Sequence, residues 1–544
     1  MSDEAMNRTD QPCRHDDAAA LEVASIPALV MAAAERFAGT PALEASGRRI
    51  DYAELPEAAL AVTRALMARG IEKGDRVAIW APNDIDWVLA ALGIHLAGAV
   101  LVPLNTRMKG GEAEDILARS GARLLFSVGD FLGVDYPAML DGRRPASLET
   151  LVVIGERAAG TPPDTRSLAA FLAEGEAVDE DAARARAAAV GPEDLSDLLF
   201  TSGTTGRPKG VMSGHGQNLR AFAEYVRVIG LRRGDRYLIV NPFFHAFGYK
   251  AGWLSCLLAG ATILPQTTFD ADAVLERIAR DRISVLPGPP TLYLSLLAHP
   301  RLAEADLTSL RVAVTGAATI PPVLIERMRD ELGFAVVTTA YGLTECGGLA
   351  TICDPDDAAE TIATTSGTPI AGTELAILDE AGQALPAGQT GEICLRGFHV
   401  MQGYFENPAA TAEAIDAAGW LHTGDVGRCD AAGYLQITDR LKDMYIVGGF
   451  NCYPAEIEAI LATHPAIAQS AVIGVPDPRQ GEVGCAYVVP RAGRALDEDT
   501  LIDWAREQMA NYKVPRHVRL IEALPVNAAN KVDKAQLRRA FHAS

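Results

Sequence analysis

The chain has no apolar segment that is long and uniform enough to cross a membrane. Its longest apolar stretch, residues 88–104, is interrupted by His95, two glycines and Pro103, whereas a spanning helix needs about 20 predominantly apolar residues. The stretch instead predicts a buried helix that runs into a strand. Residues 1–17 are charged and lack an apolar core, so we expect no signal peptide, and residues 1–22 are expected to be disordered.

The sequence is also poor in cysteine and in positive charge. Its eight cysteines are scattered and form no C-x-x-C pair, which argues against zinc and a disulfide framework and favours a reducing compartment, the cytoplasm. Lys and Arg number 49 against 70 Asp and Glu, a net charge of −21. Nucleic acid is therefore not expected as a partner, because binding its phosphates requires a positive surface. An anionic substrate must instead meet locally placed lysines, arginines or a metal ion.

The 544 residues are enough for two or more domains. Strand-like apolar runs, such as 76–82, 98–104, 236–242 and 283–290, alternate with amphipathic helical segments. This alternation predicts parallel sheets covered by helices, an α/β fold. Ligands of such sheets collect at the carboxyl ends of the strands.

Three later regions differ from this pattern. Residues 156–196 are rich in alanine and acidic residues and are expected to form a surface excursion. Residues 365–440 contain short strands and turns, which predict a small β subdomain. The segment after residue 443 predicts a compact α+β unit.

One glycine-rich stretch, LLFTSGTTGRPKGV at 198–211, suggests phosphate binding. It does not fit the Walker pattern G-x-x-x-x-G-K-[ST], because Arg207 and Pro208 separate Gly206 from Lys209, and Gly210 follows the lysine. What remains is a loop of hydroxyls, backbone N–H groups and one cation, which can wrap a polyphosphate.

Five further stretches combine glycines, aromatic residues and charged side chains. They are NPFFHAFGYK (241–250), TTAYGLTEC (338–346), GWLHTGDVG (419–427), DRLKDMYIVGGFNCYPAEIE (439–458) and LPVNAANKVDK (524–534).

In this order and spacing the six motifs resemble the adenylate-forming superfamily, which contains acyl- and aryl-CoA synthetases, peptide-synthetase adenylation domains and luciferases. The resemblance covers about residues 25–540. It implies a large N-terminal domain (23–441) of two α/β subdomains and a β subdomain, followed by a small, mobile α+β C-terminal domain (442–544). It also implies a reaction in which a carboxylate attacks the α-phosphate of ATP, pyrophosphate leaves, and a thiol then accepts the acyl group.

The resemblance assigns ATP-binding roles residue by residue. The phosphate loop would cradle the β- and γ-phosphates, Tyr341 would stack on adenine, Asp425 would grip both ribose hydroxyls, and Arg440 would reach the ribose or the phosphates. The full predicted set is Thr201, Ser202, Gly203, Thr204, Thr205, Gly206, Lys209, Gly316, Ala317, Ala318, Ala340, Tyr341, Gly342, Asp425 and Arg440.

The same resemblance implies a metal site and catalytic residues. Glu345 and Thr201 would hold Mg²⁺, a hard cation that prefers oxygen ligands, and Thr344 would contact the α-phosphate. His245, flanked by aromatic residues, would gate the acyl pocket. Because two anions must meet, neutralisation of their charge dominates the expected barrier.

Lys531 matches the C-terminal lysine that bridges the carboxylate and the phosphate during adenylation. The family usually has glycine directly before this lysine, whereas this chain has Asn530. Asparagine tolerates left-handed backbone better than most residues, so we expect the turn to survive. Lys534 is the alternative candidate.

Between the two half-reactions the C-terminal domain of the family rotates. Lys442 falls at the expected hinge. The rotation would exchange Lys531 for the face that carries Gly448, Gly449 and Phe450, where the glycines would let the pantetheine arm of CoA pass close to the backbone.

The acyl pocket is assigned by resemblance to actinobacterial ligases of steroid catabolism, which activate the propionate side chain of the C/D-ring indane fragment. This favours a bulky alicyclic propionate as the substrate, with room for fused rings beside Gly347 and a ring ketone near Lys250. The predicted pocket residues are Phe247, Gly248, Lys250, Gly288, Cys346 and Gly347.

Two alternatives stay open at this point. The substrate could be a medium-chain fatty acid or an aryl acid, and the acceptor could be a carrier-protein phosphopantetheine instead of free CoA. The implied cofactors are ATP, Mg²⁺ and coenzyme A, and the implied partners are small molecules. A homodimer is also compatible with the sequence.

Overall fold

The structure is a computed structural model that describes residues 20–157, 160–201, 207–316, 320, 322–379, 381–440, 444–491, 493–525, 532 and 534–543. Side chains are not described for residues 438–440, 455, 459, 535 and 543. The predictions for residues 202–206, Ala317, Ala318, Lys442 and Lys531 therefore lie outside the described residues.

The strands of the N-terminal domain are β1 (Pro41–Ala45), β2 (Arg48–Asp51), β3 (Arg76–Trp80), β4 (Val100–Pro103), β5 (Leu124–Val128), β6 (Asp130–Phe131), β7 (Val134–Asp135), β8 (Thr150–Ile154), β9 (Arg166–Ser167), β10 (Leu195–Thr201), β11 (Lys209–Gly214), β12 (Arg236–Ile239), β13 (Thr262–Pro265), β14 (Val312–Thr315), β15 (Val336–Tyr341), β16 (Thr351–Ile352), β17 (Thr368–Pro369), β18 (Thr373–Leu378), β19 (Gly391–Gly397), β20 (Gly403–Tyr404), β21 (Leu421–Cys429) and β22 (Leu435–Arg440).

The helices of this domain are α1 (Ile26–Arg36), α2 (Leu55–Ala68), α3 (Ile85–Leu96), α4 (Gly110–Ser120), α5 (Leu168–Glu174), α6 (Glu180–Ala188), α7 (His215–Ile229), α8 (Ala246–Gly248), α9 (Ser255–Ala259), α10 (Ala271–Arg280), α11 (Pro290–Leu297), α12 (Pro322–Asp330), α13 (Ala359–Thr364) and α14 (Pro408–Ala414). A π-helical turn spans Tyr249–Leu254, and short 3₁₀ turns span Tyr52–Glu54, Ala138–Leu140, Gly175–Ala177, Leu302–Glu304 and Thr344–Cys346.

An eight-stranded sheet in the order β20-β11-β10-β4-β3-β5-β8-β9 forms the first layer. Strands β10, β4, β3, β5 and β8 pair in parallel. Such strands are buried on both faces because helices cover them, and every residue of β4 is buried. The apolar stretch 88–104 forms most of the buried helix α3 and then β4, which confirms the prediction made for it.

A second sheet has the order β12-β13-β1-β2, and a third has the order β14-β15-β16-β17. Val285 bridges these two sheets through Tyr237 and Val312. The segment predicted as a strand, 283–290, hydrogen-bonds to both sheets from Ser284 to Gly288 but forms bridges only at Val285. Its three prolines have no N–H to donate to a ladder, and the last of them, Pro290, begins α11.

The described part of residues 156–196 is mostly exposed or partly exposed, as predicted for a surface excursion, but it is structured. Helices α5 and α6 pack against the rest of the N-terminal domain through the buried side chains of Phe171, Ala183 and Ala187. The ring of Phe171 meets that of Phe126 edge-on with centroids 5.3 Å apart. Alanine-rich segments can pack closely because the small side chain costs little entropy on burial.

The predicted β subdomain is confirmed as an antiparallel sheet in the order β18-β19-β21-β22. At the other end of the domain, the N–H of Leu21 donates to the carbonyl oxygen of Leu258 at 3.1 Å. Ordered packing therefore begins inside the segment 1–22 that was predicted to be disordered.

The C-terminal domain contains β23 (Tyr445–Val447), β24 (Phe450–Cys452), α15 (Pro454–Leu461), β25 (Ile467–Asp477), β26 (Gly481–Pro490), α16 (Glu498–Gln508), β27 (His517–Leu520) and α17 (Lys534–Ala543). Its sheet has the order β24-β23-β26-β25, with β27 parallel to β26. The buried side chains of this domain form a cluster of their own between Tyr445 and Leu537. The boundary at residues 441 and 442 stays a prediction.

Candidate active site

The predicted metal ligands Thr201 and Glu345 lie together. Thr201 ends β10, and Glu345 lies on the 3₁₀ turn that follows β15. The Thr201 hydroxyl donates to Glu345 Oε1 at 3.3 Å. Two oxygen-bearing side chains from separate sheets thus converge at strand ends, which is where ligands of α/β folds bind.

Tyr404 joins this pair and was not found from the sequence. Its hydroxyl donates to Glu345 Oε1 at 2.9 Å, and Lys209 Nζ lies 4.9 Å from the centre of its ring. Tyr404 is on β20, which pairs with β11 beside Lys209. The short G-Y pair in MQGYFENP is the only local signal, and it does not specify a contact to Glu345.

Tyr341 and Asp425 form a second contact at the predicted nucleotide site. The Tyr341 hydroxyl donates to Asp425 Oδ2 at 2.7 Å. Burial and then the nearby Asp425 carboxylate raise the pKa of Tyr341, so its proton is held. The β21–β22 register pairs Asp425 with Arg440, as expected of two residues assigned to one ligand.

The backbones of the predicted adenine-side residues approach one another closely. A Cβ atom added at Gly342 would lie 2.5 Å from the carbonyl carbon of Gly348, a distance that a real side chain does not adopt. A Cβ atom at Gly316 would lie 3.1 Å from the carbonyl oxygen of Ala340. Gly342 is therefore required where the chain after β15 folds back onto itself.

The predicted gate and pocket residues meet at one junction. His245 is exposed and caps the short helix α8, where its Nδ1 accepts from the N–H of Phe247 at 3.3 Å. A Cβ atom added at Gly348 would lie 2.7 Å from that of Ala246. Asn241 Nδ2 donates to the carbonyl oxygen of Pro287 at 3.1 Å, which ties this loop to the segment of Gly288.

Cys346 and Gly347 lie inside this junction. The buried Cys346 thiol donates to the carbonyl oxygen of Leu343 at 3.2 Å, and burial raises its pKa to about 12. Gly347 has a φ of 72°, the left-handed conformation that favours glycine. A Cβ atom there would lie 3.8 Å from Asn218 Oδ1, an ordinary contact distance, so the site has space for a methyl group. The positive φ nevertheless makes any other residue unfavourable at this position.

Lys250 was expected to contact a ring ketone of the substrate, but its ammonium group is already paired within the protein. It is fully buried in the π-helical turn, with Nζ 3.2 Å from both Asp197 Oδ1 and Ser213 Oγ. Burial lowers the pKa of Lys250, and the Asp197 carboxylate opposes that shift. This ion pair holds α7, β10, β11 and the π-helical turn together behind the predicted pocket.

The two domains meet through a buried lysine. Lys513 of the C-terminal domain donates to Glu112 on α4 at 2.7 Å and to Glu456 on α15 at 2.6 Å. Its side chain is 3% exposed, and those of the two glutamates are 13% and 7% exposed. Burial would lower the pKa of Lys513, but Tyr512 and the two carboxylates raise it above its usual value.

The predicted CoA-binding turn lies against the same surface of the N-terminal domain. Gly448 and Gly449 connect β23 to β24 with φ values of 54° and 88°. The guanidinium of Arg107 lies 4.3 Å above the Phe450 ring, and Asn105 Nδ2 donates to the Tyr512 hydroxyl at 3.2 Å. Phe450, directly after the glycine turn, therefore contacts the N-terminal domain next to α4.

Comparison with known families identifies the class. Residues 30–405 match the AMP-binding enzyme family, and residues 456–531 match the AMP-binding enzyme C-terminal domain. The chain belongs to this family and is an acyl-CoA ligase, with the large α/β and small C-terminal domains of an adenylate-forming enzyme.

Two curated relatives have the same name. The chain is 53% identical over 517 residues to a 3-[(3aS,4S,7aS)-7a-methyl-1,5-dioxo-octahydro-1H-inden-4-yl]propanoyl:CoA ligase of Mycobacterium tuberculosis, covering 95% of this chain and 99% of the relative. It is 48% identical over 517 residues to the ligase of that name from Rhodococcus jostii, covering 94% and 98%.

Solved structures are similar over nearly the whole chain. The amide bond synthetase McbA from Marinactinospora thermotolerans is 30% identical with a TM-score of 0.81, covering 95% of this chain and 99% of that one. A double mutant of o-succinylbenzoate CoA synthetase (MenE) from Bacillus subtilis, bound with its product analogue OSB-NCoA, is 28% identical with a TM-score of 0.78, covering 94% and 98%. ATP-bound MatB from Rhodopseudomonas palustris is 30% identical and covers 95% and 99%, but its TM-score is 0.68.

Two features bear on the environment of the protein. Within the described ranges, no helix combines the length and the apolar character needed to cross a membrane. The cysteines in those ranges carry free thiols.

Proposed function

We propose that this ligase joins a bulky alicyclic propionate, of the indane-propionate type, to coenzyme A at the expense of ATP. The observation that supports this substrate is the 53% and 48% identity, over nearly the full length, to two ligases named for that acid. The glycine-lined junction of Gly347 and Gly348 with the His245 loop is the part of the chain that we assign to the fused rings.

In the first half-reaction the residues neutralise two anions that repel each other. Glu345 and Thr201 offer the oxygen donors that Mg²⁺ prefers, and Tyr404 fixes the Glu345 carboxylate through its hydrogen bond. The bound metal ion would spread the charge of the triphosphate. Lys209 would add positive charge beside it, and Asp425, held by Tyr341, would bind the ribose hydroxyls.

We infer that the domain arrangement is the one used for thioester formation. Phe450, next to the glycine turn, packs on Arg107 of the N-terminal domain, and Lys513 anchors that arrangement on Glu112. The TM-score against MenE with a CoA-product analogue is 0.78, whereas the TM-score against ATP-bound MatB is 0.68. Sequence identity and coverage are nearly equal for the two structures. A different relative placement of the two domains would produce such a gap.

The proposal is tested by pyrophosphate release across a panel of acids, with and without CoA. We expect a fused-ring propionate to give the highest kcat/KM, and we expect CoA thioester as the product. Preference for octanoate or an aryl acid would overturn the substrate assignment while leaving the ligase class intact. Preference for an amine or a carrier-protein thiol over CoA would overturn the proposed acceptor.

The binding of Mg²⁺, a cytoplasmic location, a homodimer and the hinge at Lys442 stay predictions. The free thiols of the described cysteines are compatible with a reducing compartment.

A further inference from the structure

Three side chains with metal-binding atoms converge on two neighbouring strands of the β subdomain. Glu392 and Cys394 are on β19, and His422 is on β21, where the register pairs it with Cys394. Positions two apart on a strand share one face. The three ligand atoms all lie within 4.8 Å of one another. We propose that Glu392, Cys394 and His422 bind Zn²⁺.

The sulfur–nitrogen spacing of the three ligand atoms matches a tetrahedral zinc site, and the nitrogen–oxygen spacing is somewhat shorter. His422 Nδ1 lies 3.5 Å from Cys394 Sγ and 2.8 Å from Glu392 Oε2. Usual Zn–S and Zn–N bond lengths place the sulfur and nitrogen of such a site about 3.5 Å apart and its nitrogen and oxygen about 3.3 Å apart. The sulfur and nitrogen therefore need no shift, and the carboxylate oxygen must withdraw by about 0.5 Å.

The surroundings supply an entry path and an orienting group. The side chains of His422 and Glu392 are 31% and 23% exposed, so water can reach the fourth coordination position. On the far side of the imidazole, Asp416 Oδ2 lies 3.7 Å from His422 Nε2. A ligating histidine usually donates its second ring N–H to such a carboxylate, and Asp416 would have to approach by about 0.5 Å to accept that hydrogen bond.

The chemistry of the thiol sets the pH dependence of this site. Zn²⁺ binds cysteine as a thiolate, so it must displace the Cys394 proton as the Zn–S bond forms. Affinity should therefore increase as the pH rises from 6 to 8.

The site is connected to the nucleotide site through one carboxylate. Glu392 Oε1 accepts from the N–H of Gly424 at 3.1 Å, directly before Asp425. A metal ion that shifts the Glu392 carboxylate away from His422 would loosen the turn that presents Asp425. This consequence rests on the proposed function, and we expect bound Zn²⁺ to raise the KM for ATP severalfold.

Binding is tested by titrating the metal-free full-length protein with Co²⁺, because a bond between Co²⁺ and a thiolate absorbs in the near ultraviolet. The Co²⁺ is then displaced with Zn²⁺, and native mass spectrometry counts the bound ions. We expect one ion per chain and loss of at least tenfold in affinity in Cys394→Ser and in His422→Gln. Cys429 lies on β21, the strand of His422, but it is not among the three ligands. The control variant Cys429→Ser should therefore bind Co²⁺ as the wild type does. Circular dichroism checks that each variant is folded.

Absence of the absorption band, or a band that survives Cys394→Ser, would overturn the site. The second measurement is the KM for ATP at buffered free Zn²⁺, in the wild type and in Cys394→Ser. An equal KM with and without Zn²⁺ would overturn the connection to Asp425 only. The Co²⁺ titration needs no substrate, so a failure of the proposed ligase reaction would leave its result unchanged.

Discussion

Lys513 and Glu112, which lie 401 residues apart in the sequence, form a 2.7 Å ion pair between the two domains of this ligase. A charged lysine with a 3% exposed side chain is stable only while carboxylates face it. The pair can exist only in the arrangement that brings the C-terminal domain onto α4. We therefore expect it to favour one of the two half-reactions.

Replacement of Glu112 by Gln should slow thioester formation from supplied acyl-adenylate and CoA by about tenfold, or ~1.4 kcal/mol, because Lys513 loses one charged partner. The glutamine retains the acceptor for the N–H of Lys109 that caps α4, so the helix should be unaffected. Pyrophosphate release should stay near the wild-type rate. The control is Glu114→Gln, a partly exposed residue of the same helix; equal defects in both variants, or in both half-reactions, would contradict the role of the pair.

The Lys531→Ala variant should lose adenylation but retain thioester formation from supplied acyl-adenylate. The competing candidate, Lys534, is engaged elsewhere, since its Nζ lies 2.8 Å from Glu458 within the C-terminal domain. Lys534→Ala should therefore adenylate normally and show only a lower melting temperature. The opposite pattern in a single-turnover pyrophosphate assay would transfer the role to Lys534.

Tyr341→Phe retains the ring expected to stack on adenine but removes the hydrogen bond to Asp425. We expect the KM for ATP to rise by about tenfold, within the range for a hydrogen bond to a charged group, with the KM for the acid unchanged. Tyr434→Phe is a matched control, because the Tyr434 hydroxyl donates to Asp357 at 2.6 Å outside the predicted site. An unchanged KM for ATP in Tyr341→Phe would show that Asp425 needs no support.

Lys250→Met should destabilise the N-terminal domain by roughly 3–5 kcal/mol, because it leaves the Asp197 charge buried without its cation. Adding Asp197→Asn should recover much of this loss, since the remaining group is neutral. The measurement is the urea midpoint of both variants. If the double variant is no more stable than the single one, the buried charge is not the cause.

Stability should also fall in mild acid. Burial lowers the pKa of His95 and of His215 to about 3 each, from an ordinary value of 6.5. Above pH 6.5 both histidines are neutral whether the chain is folded or unfolded. Between pH 6.5 and 3 only the unfolded chain takes up these protons, so the folded state loses on the order of 1 kcal/mol per histidine per pH unit. Melting temperatures from pH 7 to 5 should fall less steeply in His215→Asn; an identical slope would contradict this.

The sequence determined the type and order of the elements. The apolar runs at 76–82 and 98–104 predict the parallel strands β3 and β4, because strands that are buried on both faces consist of uninterrupted apolar residues. The resemblance carried by the motifs likewise assigned Thr201 and Glu345 to one metal site, and the structure brings the two side chains to 3.3 Å. A motif carries such information because its residues are close together and their spacing is local.

Only the tertiary structure decided which distant side chains pair. Tyr404 is 59 residues from Glu345, and His422 is 28 residues from Cys394. Nothing local at these positions specifies the contact, and the missing C-x-x-C pair excluded only ligands that are neighbours in sequence. Lys250 shows the converse: the motif predicted an available ammonium, but packing placed Asp197 beside it. Element type follows from local periodicity, whereas a side-chain pair depends on how whole sheets and domains pack.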